Sequence, residues 1–269
     1  MKYISMVILL ACILVDASAK NSVEMSYESL DFIDSKKKED GKRFGVKGDY
    51  DGKFQFYYEQ TRTNTTPIVA EDLRVDKFTF KYNHSLSNGL LSALFINVDD
   101  SLNKEADGVK VYGLGYAQNG LSFTQYLSDY KHFDVYQSDV AYNIKKDRTK
   151  FTLIGKYIYV KNKNSNLFSK NAKVKYYTLG MKVHTHYKEF HFGAGAYFGN
   201  RIFSVMRDGF KVQHHAMEFK KSYMCGVGYN LQKDMLLKVM YSYHLADEVP
   251  VNNNDVEIHN VVCSLKYTF

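Results

Sequence analysis

The chain has 269 residues, of which 45% are apolar and 15% aromatic, and its formal net charge is +7. After the N-terminal segment, no apolar stretch approaches the roughly 20 residues that a membrane-spanning helix needs, so a helical membrane protein is excluded. The lysines are scattered and form no basic stripe, which argues against nucleic-acid binding. Tyrosine (23 residues) and phenylalanine (18) are abundant while proline occurs twice, a balance that favours β-structure.

The N-terminal segment has the layout of a secretory signal peptide. A basic start precedes an apolar run at 4–15, and three small residues follow at 17–19. This order predicts cleavage after the third small residue, so that residues 1–19 form the signal peptide and residues 20–269 the exported protein. The stretch LLAC within the apolar run also fits a lipoprotein cleavage box, which would leave a very short leader. Both alternatives predict export.

Segments of about ten residues with alternating apolar and polar side chains fill the rest of the chain, as expected of strands with one apolar face. Turn residues separate these segments. About fourteen strands are predicted, and 12 would fit if one adjacent pair is miscounted. They lie near 22–34, 43–50, 53–61, 73–86, 89–99, 108–118, 121–128, 134–145, 150–161, 173–186, 190–198, 217–230, 235–245 and 256–269.

The connections between these strands alternate in length. Tight turns follow the second, fourth and sixth strands, with the dipeptides Asp51-Gly52, Asn88-Gly89 and Asn119-Gly120 that suit two-residue hairpins. Most of the intervening connections are longer, and they span 36–42, 63–72, 162–172 and 199–215. A soluble sandwich has no reason to collect its long loops at one end, whereas a membrane barrel has short turns on one side and longer loops on the other.

The last strand ends in LKYTF, with apolar and aromatic residues at alternate positions. With the leader and the rhythm of turns and loops, the chain resembles a Gram-negative outer-membrane β-barrel protein, closest in size to the monomeric fourteen-stranded porins. The resemblance implies an all-β, transmembrane, antiparallel up-and-down barrel over residues 20–269, located in the cell outer membrane. It also implies that Leu265, Tyr267 and Phe269 form the signal read by the barrel-assembly machinery. The expected surroundings are outer-membrane lipid and lipopolysaccharide, and the short loops favour a monomer over a trimer.

Strand parity divides the side chains into two sets. If apolar rows that include Tyr27, Phe80 and Leu179 face lipid, the opposite parity lines a hydrophilic lumen. Acids concentrate in the first three strands and lysines in the later ones, which predicts a polar pore with a slight preference for anions; the alternative is a merely solvated wall. The residues predicted to line the pore are Glu24, Glu28, Lys47, Asp49, Glu59, Lys77, Lys81, Asp139, Lys156, Lys182, His184, Lys238, His244 and Lys266.

The longest connection, 199–215, mixes apolar with basic residues. Such a loop is expected either to fold into the mouth, as a constriction or a pH-responsive gate, or to pack as an ordinary external loop. Its candidate constriction residues are Arg201, Arg207, Lys211, His214 and His215.

Neither a metal site nor a catalytic group stands out. The histidine-rich stretch at 184–191 has no cysteine or carboxylate at a matching spacing, so no metal and no cofactor are expected. No serine, histidine and acid can be assigned to one rim of the barrel. The sequence therefore predicts a porin that lets small hydrophilic solutes diffuse passively. The alternatives are a barrel with a surface-interaction or structural role and an outer-membrane hydrolase, either a phospholipase or a protease.

Overall fold

The structure, a computed structural model, describes residues 21–69, 71–102, 106–163 and 173–269. The predicted signal peptide lies outside these residues. Within them, fourteen strands form one closed antiparallel barrel, which confirms the predicted fold class and strand number. No helix in these ranges is long and apolar enough to cross a membrane.

The strands follow one another around the barrel in chain order. Two short strands, β12 and β13, form a separate two-stranded sheet within the connection between β11 and β14. The strands are β1 (Asn21–Ile33), β2 (Lys38–Tyr50), β3 (Phe54–Thr65), β4 (Leu73–Leu86), β5 (Gly89–Asp100), β6 (Val109–Gln118), β7 (Leu121–Asp129), β8 (Phe133–Lys146), β9 (Thr149–Asn162), β10 (Lys175–Tyr187), β11 (Phe190–Arg201), β12 (Val205–Met206), β13 (Lys211–Val212), β14 (Met217–Gln232), β15 (Met235–Glu248) and β16 (Asn253–Thr268).

The first and last strands close the barrel. β1 and β16 pair without a register shift from Ser22 opposite Thr268 to Ile33 opposite Glu257. The backbone of Asn21 extends this ladder through hydrogen bonds to and from Phe269, at 3.1 and 2.9 Å. Closure leaves no unpaired strand edge, which a sheet surrounded by hydrocarbon could not tolerate.

Short and long connections lie at opposite ends of the barrel. At one end, here called the turn end, six connections of two or three residues join the strands, and chain closure occurs beside them. Asp147 and Lys188 adopt left-handed backbone angles in two of these turns, as Asn119 does in a turn predicted from sequence. The opposite end, called the loop end, has connections of three residues or more, and most of them are longer than the turns, including 202–216.

The outer wall carries the apolar side chains that were predicted to face lipid. Tyr27 is 49% exposed, Phe80 40% and Leu179 72%, as on a surface that has no protein partner within the chain. An apolar band of this kind is what the hydrocarbon layer of a bilayer would cover.

The inner wall is not hydrophilic throughout, contrary to the expectation from sequence. Its half nearer the loop end is apolar over β4 to β9 and packs against the connection 202–216, so that the hydrophobic core lies inside the barrel. The inward side chains of this apolar half are Leu73, Val75, Leu94, Ile96, Val98, Val109, Val111, Phe133, Val135, Ile158 and Val160. The half nearer the turn end presents a polar surface to an open lumen.

Candidate functional site in the barrel lumen

The connection 202–216, called the constriction loop, folds back into the barrel. Its first residues are fully buried: Ile202 is 0% exposed and Phe203 3%. The Phe203 ring packs on Tyr130 and Phe133 of the wall, with ring centroids 4.9 and 4.8 Å apart. Burying such apolar surface favours the inserted position, because the same rings would otherwise lie in water at the loop end.

Polar contacts with the wall hold the middle of the constriction loop. The amide of Gln137 forms two hydrogen bonds with the backbone of Val205: its Nε2 donates to the carbonyl and its Oε1 accepts from the amide nitrogen, both at 2.8 Å. Lys156 Nζ donates to the same carbonyl at 3.1 Å and also pairs with Asp139. Together these contacts satisfy backbone groups that burial would otherwise leave without partners.

The tip of the constriction loop has an unusual backbone. Arg207, Asp208 and Gly209 have φ angles of 51°, 56° and 101°, three successive residues in the left-handed region. A Cβ atom on Gly209 would lie 2.1 Å from Leu94 Cδ1, so Leu94 would have to shift, and the backbone angle itself favours glycine. Phe210 follows and lies under Lys47, whose Nζ is 4.1 Å from the ring centroid.

A network of buried charges lies between the constriction loop and strands β1 to β4. Arg43 binds Glu28 at 2.6 Å and Glu59 at 3.2 Å, and Lys77 pairs with Glu59. From the loop, Lys211 Nζ lies 3.7 Å from Glu28 Oε1. The side chains of Glu59 and Lys77 are only 3% and 4% exposed, so these charges are stabilised by one another and not by open water.

Two water-accessible spaces lie between the constriction loop and the turn end. Their volumes are about 550 and about 520 Å³, and both reach Lys81 of the wall and Arg207 and Asp208 at the loop tip. A smaller cavity of about 90 Å³ lies nearer the loop end. It shares Arg43 and Lys211 with the 520 Å³ space, so these two side chains lie where the two spaces adjoin, a position called the narrow point.

The predicted pore-lining residues divide into three groups. Most line the two larger spaces: Glu24, Glu28, Lys47, Glu59, Lys81, Asp139, Lys156, Lys182, His184 and Lys238. Lys77 is covered by the charge network, and His244 lines the smaller cavity. Asp49 accepts hydrogen bonds from the Gly52 amide nitrogen and from Gln55 at the turn end, and Lys266 lies opposite Glu24 in the ladder between β1 and β16.

Arg201 does not belong to the constriction loop, contrary to the expectation from sequence. It is the last residue of β11, because the pairing of that strand with β14 extends to Arg201 opposite Phe219 across a bulge. Its side chain is fully buried and donates to Ser222 Oγ, and its guanidinium lies 5.1 Å from the Phe219 ring. Ser222 also contacts His244 Nδ1 at 2.6 Å, but Ser222 is 0% exposed and no substrate can reach it in this arrangement.

The returning limb of the constriction loop brings two histidines to a carboxylate. His214 Nε2 and His215 Nε2 lie 3.4 and 3.2 Å from Asp100 Oδ2 at the loop end of β5. Burial lowers the pKa of His214, and lowers that of His215 further, so both imidazoles favour the neutral form. Nothing in the sequence indicated this group, because Asp100 lies on a strand remote in the chain.

Burial also changes the pKa of Lys211, which lies at the narrow point. It lowers the pKa of the Lys211 ammonium to about 7, with Glu28 acting in the opposite direction. At the turn end, the three histidines of the stretch 184–191 come together instead, with the rings of His184 and His186 5.8 and 6.1 Å from that of His191.

Comparison with solved structures identifies proteins of similar architecture. The outer membrane protein Omp33 of Acinetobacter baumannii superposes with a TM-score of 0.53 at 7% sequence identity, covering 93% of this chain and 99% of that one. The chain has the fold of an outer-membrane β-barrel protein. The NanC porin (TM-score 0.49, 10% identity, 91% of this chain and 100% of that one) and OmpT of Vibrio cholerae (0.49, 8%, 95% and 99%) are less similar. No protein-family model and no curated protein matches the sequence.

Proposed function

We propose that the protein is an outer-membrane channel through which small hydrophilic solutes diffuse passively, with a preference for anions. The observation that carries this proposal is the charge of the lumen. Nine cationic side chains and five acidic ones line the two larger spaces between the constriction loop and the turn end. A water-filled passage with a positive excess concentrates anions and repels cations.

The cavities suggest a route along β1 to β3. A solute would enter at the loop end through the smaller cavity, pass between Arg43 and Lys211, and reach the 520 Å³ space beside Lys47 and Lys238. The constriction loop fills the opposite side of the barrel, where the inner wall is apolar. The narrow point is therefore formed by charged groups, and we expect it to select solutes by both size and charge.

The proposed location follows from the same surfaces. The exposed apolar band of the outer wall suits contact with outer-membrane lipid, and the loop end would face outward among lipopolysaccharide. Insertion by the barrel-assembly machinery and a monomeric state belong to the same proposal. Among the described residues, Ser222 forms a hydrogen bond with a histidine but is fully buried, which argues against its use as the nucleophile of a hydrolase.

Purified protein in planar lipid bilayers tests the function. In a KCl gradient we expect a reversal potential whose sign shows that chloride is the more permeant ion. The variant Lys81→Glu should shift the reversal potential toward the equilibrium potential of potassium. Lys81 lines both larger spaces, so its charge faces the passage. The matched control is Lys110→Glu, which makes the same charge change on the outer wall and should leave the reversal potential unchanged.

Two outcomes would contradict the proposal. Cation selectivity of the parent protein would refute the anion preference. The absence of both ionic current and swelling of sugar-loaded liposomes would refute the channel itself. That result would favour a closed barrel with a surface role.

A further inference from the structure

Three side chains that suit a transition metal converge beside the smaller cavity. One ligand atom from each of Asp100, His214 and His215 lies within 4.8 Å of the others, and Asp100 is buried. Two imidazoles and one carboxylate are a donor set that suits zinc and its neighbours in the first transition row. The histidines belong to the constriction loop and the carboxylate to the wall, so the group joins the loop to the barrel.

The surrounding contacts orient two of these side chains toward a common point. Asp100 Oδ1 accepts a hydrogen bond from the Leu102 amide nitrogen at 3.0 Å, which directs Oδ2 toward the histidines. His214 Nδ1 lies 3.4 Å from the Val212 carbonyl oxygen. A proton on that nitrogen leaves the lone pair of Nε2 facing Asp100, and support of this kind for the far nitrogen is typical of metal-bound histidine.

His214 Nε2 also lacks a better partner. It is buried, and among the described residues it forms no hydrogen bond of suitable geometry. With the proton on Nδ1, the Nε2 lone pair faces a carboxylate oxygen at 3.4 Å, which is unfavourable unless a cation lies between the two; with the proton on Nε2, the same approach is a long polar contact. We propose that Asp100, His214 and His215 bind a divalent transition-metal ion, with Zn²⁺ as the expected occupant.

The site has space for further ligands but an unfavourable neighbour. The adjoining cavity of about 90 Å³ is lined by both histidines and is large enough to hold water that could complete the coordination. Lys38 Nζ lies 3.0 Å from His215 Nδ1, on the side of the ring away from Asp100. When this ammonium donates to Nδ1, the neutral ring of His215 carries its proton on Nε2, facing Asp100. Metal binding through Nε2 therefore requires the loss of one proton from the His215 and Lys38 pair, and the nearby positive charge weakens the binding of a cation.

Occupation of the site would fasten the constriction loop to the end of β5. The loop would then have less freedom to leave the lumen, and the passage between Arg43 and Lys211 should fluctuate less. This consequence for ionic current rests on the proposed channel function, whereas metal binding itself does not.

Metal binding is tested on the full barrel in detergent, with Zn²⁺ titrated by calorimetry and Co²⁺ used as a spectroscopic probe. We expect one ion per chain and visible Co²⁺ absorption from imidazole and carboxylate ligation. The double variant His214→Gln/His215→Gln should abolish both signals, and Asp100→Asn should weaken binding by about tenfold or more. The matched control removes two other clustered imidazoles, His184→Gln/His191→Gln, and should bind as the parent does.

The variant Lys38→Met distinguishes metal binding from a purely structural role of the three side chains. Removal of the nearby positive charge should tighten Zn²⁺ binding, while a merely structural cluster would bind no ion in either protein. Heat-modifiable migration on gels establishes that each variant is a folded barrel. Absence of binding in the parent, equal binding in the His214/His215 double variant, or loss of binding only in the His184/His191 control would each overturn the metal site.

Single-channel recording separates the site from the function. Addition of Zn²⁺ should reduce current fluctuations in the parent and have no effect on the His214/His215 double variant. If calorimetry shows Zn²⁺ binding but no ionic current is found, the metal site stands and the channel function fails. If the channel conducts but no ion binds, the metal site fails alone.

Discussion

Individual charged side chains in this lumen are stabilised more by their ion-pair partners than by water. Glu59 and Lys77 are nearly inaccessible, and each depends on the other and on Arg43. Removing one member of such a buried network leaves a charge without compensation, at a cost of about 3–5 kcal/mol. The residues nearest the narrow point therefore hold their positions, and the charge that can change there is that of Lys211.

The protonation of Lys211 is expected to make selectivity depend on pH. Because its pKa is lowered to about 7, Lys211 is charged below that pH and neutral above it. The chloride preference should therefore fall as the pH is raised from about 6 to about 8. Glu28, Glu59, Arg43 and Arg207 face the same group. The measurement is the reversal potential of the reconstituted channel at several pH values.

Lys211→Arg is the matched variant for this prediction. Arginine keeps its charge throughout that range, so its pH profile should be nearly flat while the narrow point stays occupied by a long cationic side chain. A profile in the variant as steep as in the parent would assign the pH dependence to other groups.

At the scale of single elements, the strands could be predicted from sequence and the path of the constriction loop could not. Alternation identified all fourteen strands, and β2 and β3 merely extend further toward the loop end, to Lys38 and Thr65, with a bulge between Lys38 and Gly41. Loop insertion depends on contacts between residues distant in the chain, such as Gln137 with Val205.

A local signal of the apolar inner wall was nevertheless present. In β5 the stretch from Leu94 to Val98 is almost continuously apolar, and β6 combines inward Val109 and Val111 with outward Tyr112. Strands that are apolar on both faces are covered on both faces. Assigning parity by aromatic residues hid this signal, because the outward set was already apolar. The polar half nearer the turn end followed the predicted parity.

The position of the constriction-loop tip against β5 is expected to depend on Gly209. In Gly209→Ala the new Cβ atom would meet Leu94, and the left-handed backbone would be strained by about 1 kcal/mol or more. We expect the tip to leave its place against β5, and the mean single-channel conductance to rise.

Gly108→Ala is the control for backbone strain alone. Gly108 also has a positive φ, of 71°, but among the described residues no atom beyond its chain neighbours lies within 4 Å of an added Cβ. The control should therefore conduct as the parent does. Equal conductance in the parent, Gly209→Ala and Gly108→Ala would show that the tip does not limit the current.

At the scale of the whole molecule, the barrel combines an apolar outer surface with a lumen that is apolar over β4 to β9 near the loop end and polar near the turn end. The outer band faces away from the protein, and the inner apolar half is covered by the constriction loop. Such a molecule needs an apolar solvent on its outside and water on part of its inside, which a lipid bilayer around a channel provides. The strand pattern predicted this division for the outer wall, and for the inner wall only near the turn end.

The apolar outer band is expected to determine the stability of the barrel in a membrane. Leu179 is 72% exposed in the middle of β10, so Leu179→Arg would place a charge against acyl chains. We expect the free energy of unfolding in phospholipid vesicles to fall by about 2–4 kcal/mol. The control, Ser92→Arg, puts the same side chain in the 550 Å³ space, where water can solvate it, and should change stability far less. Urea titrations followed by tyrosine fluorescence measure both, and equal losses would mean that the outer band does not face lipid.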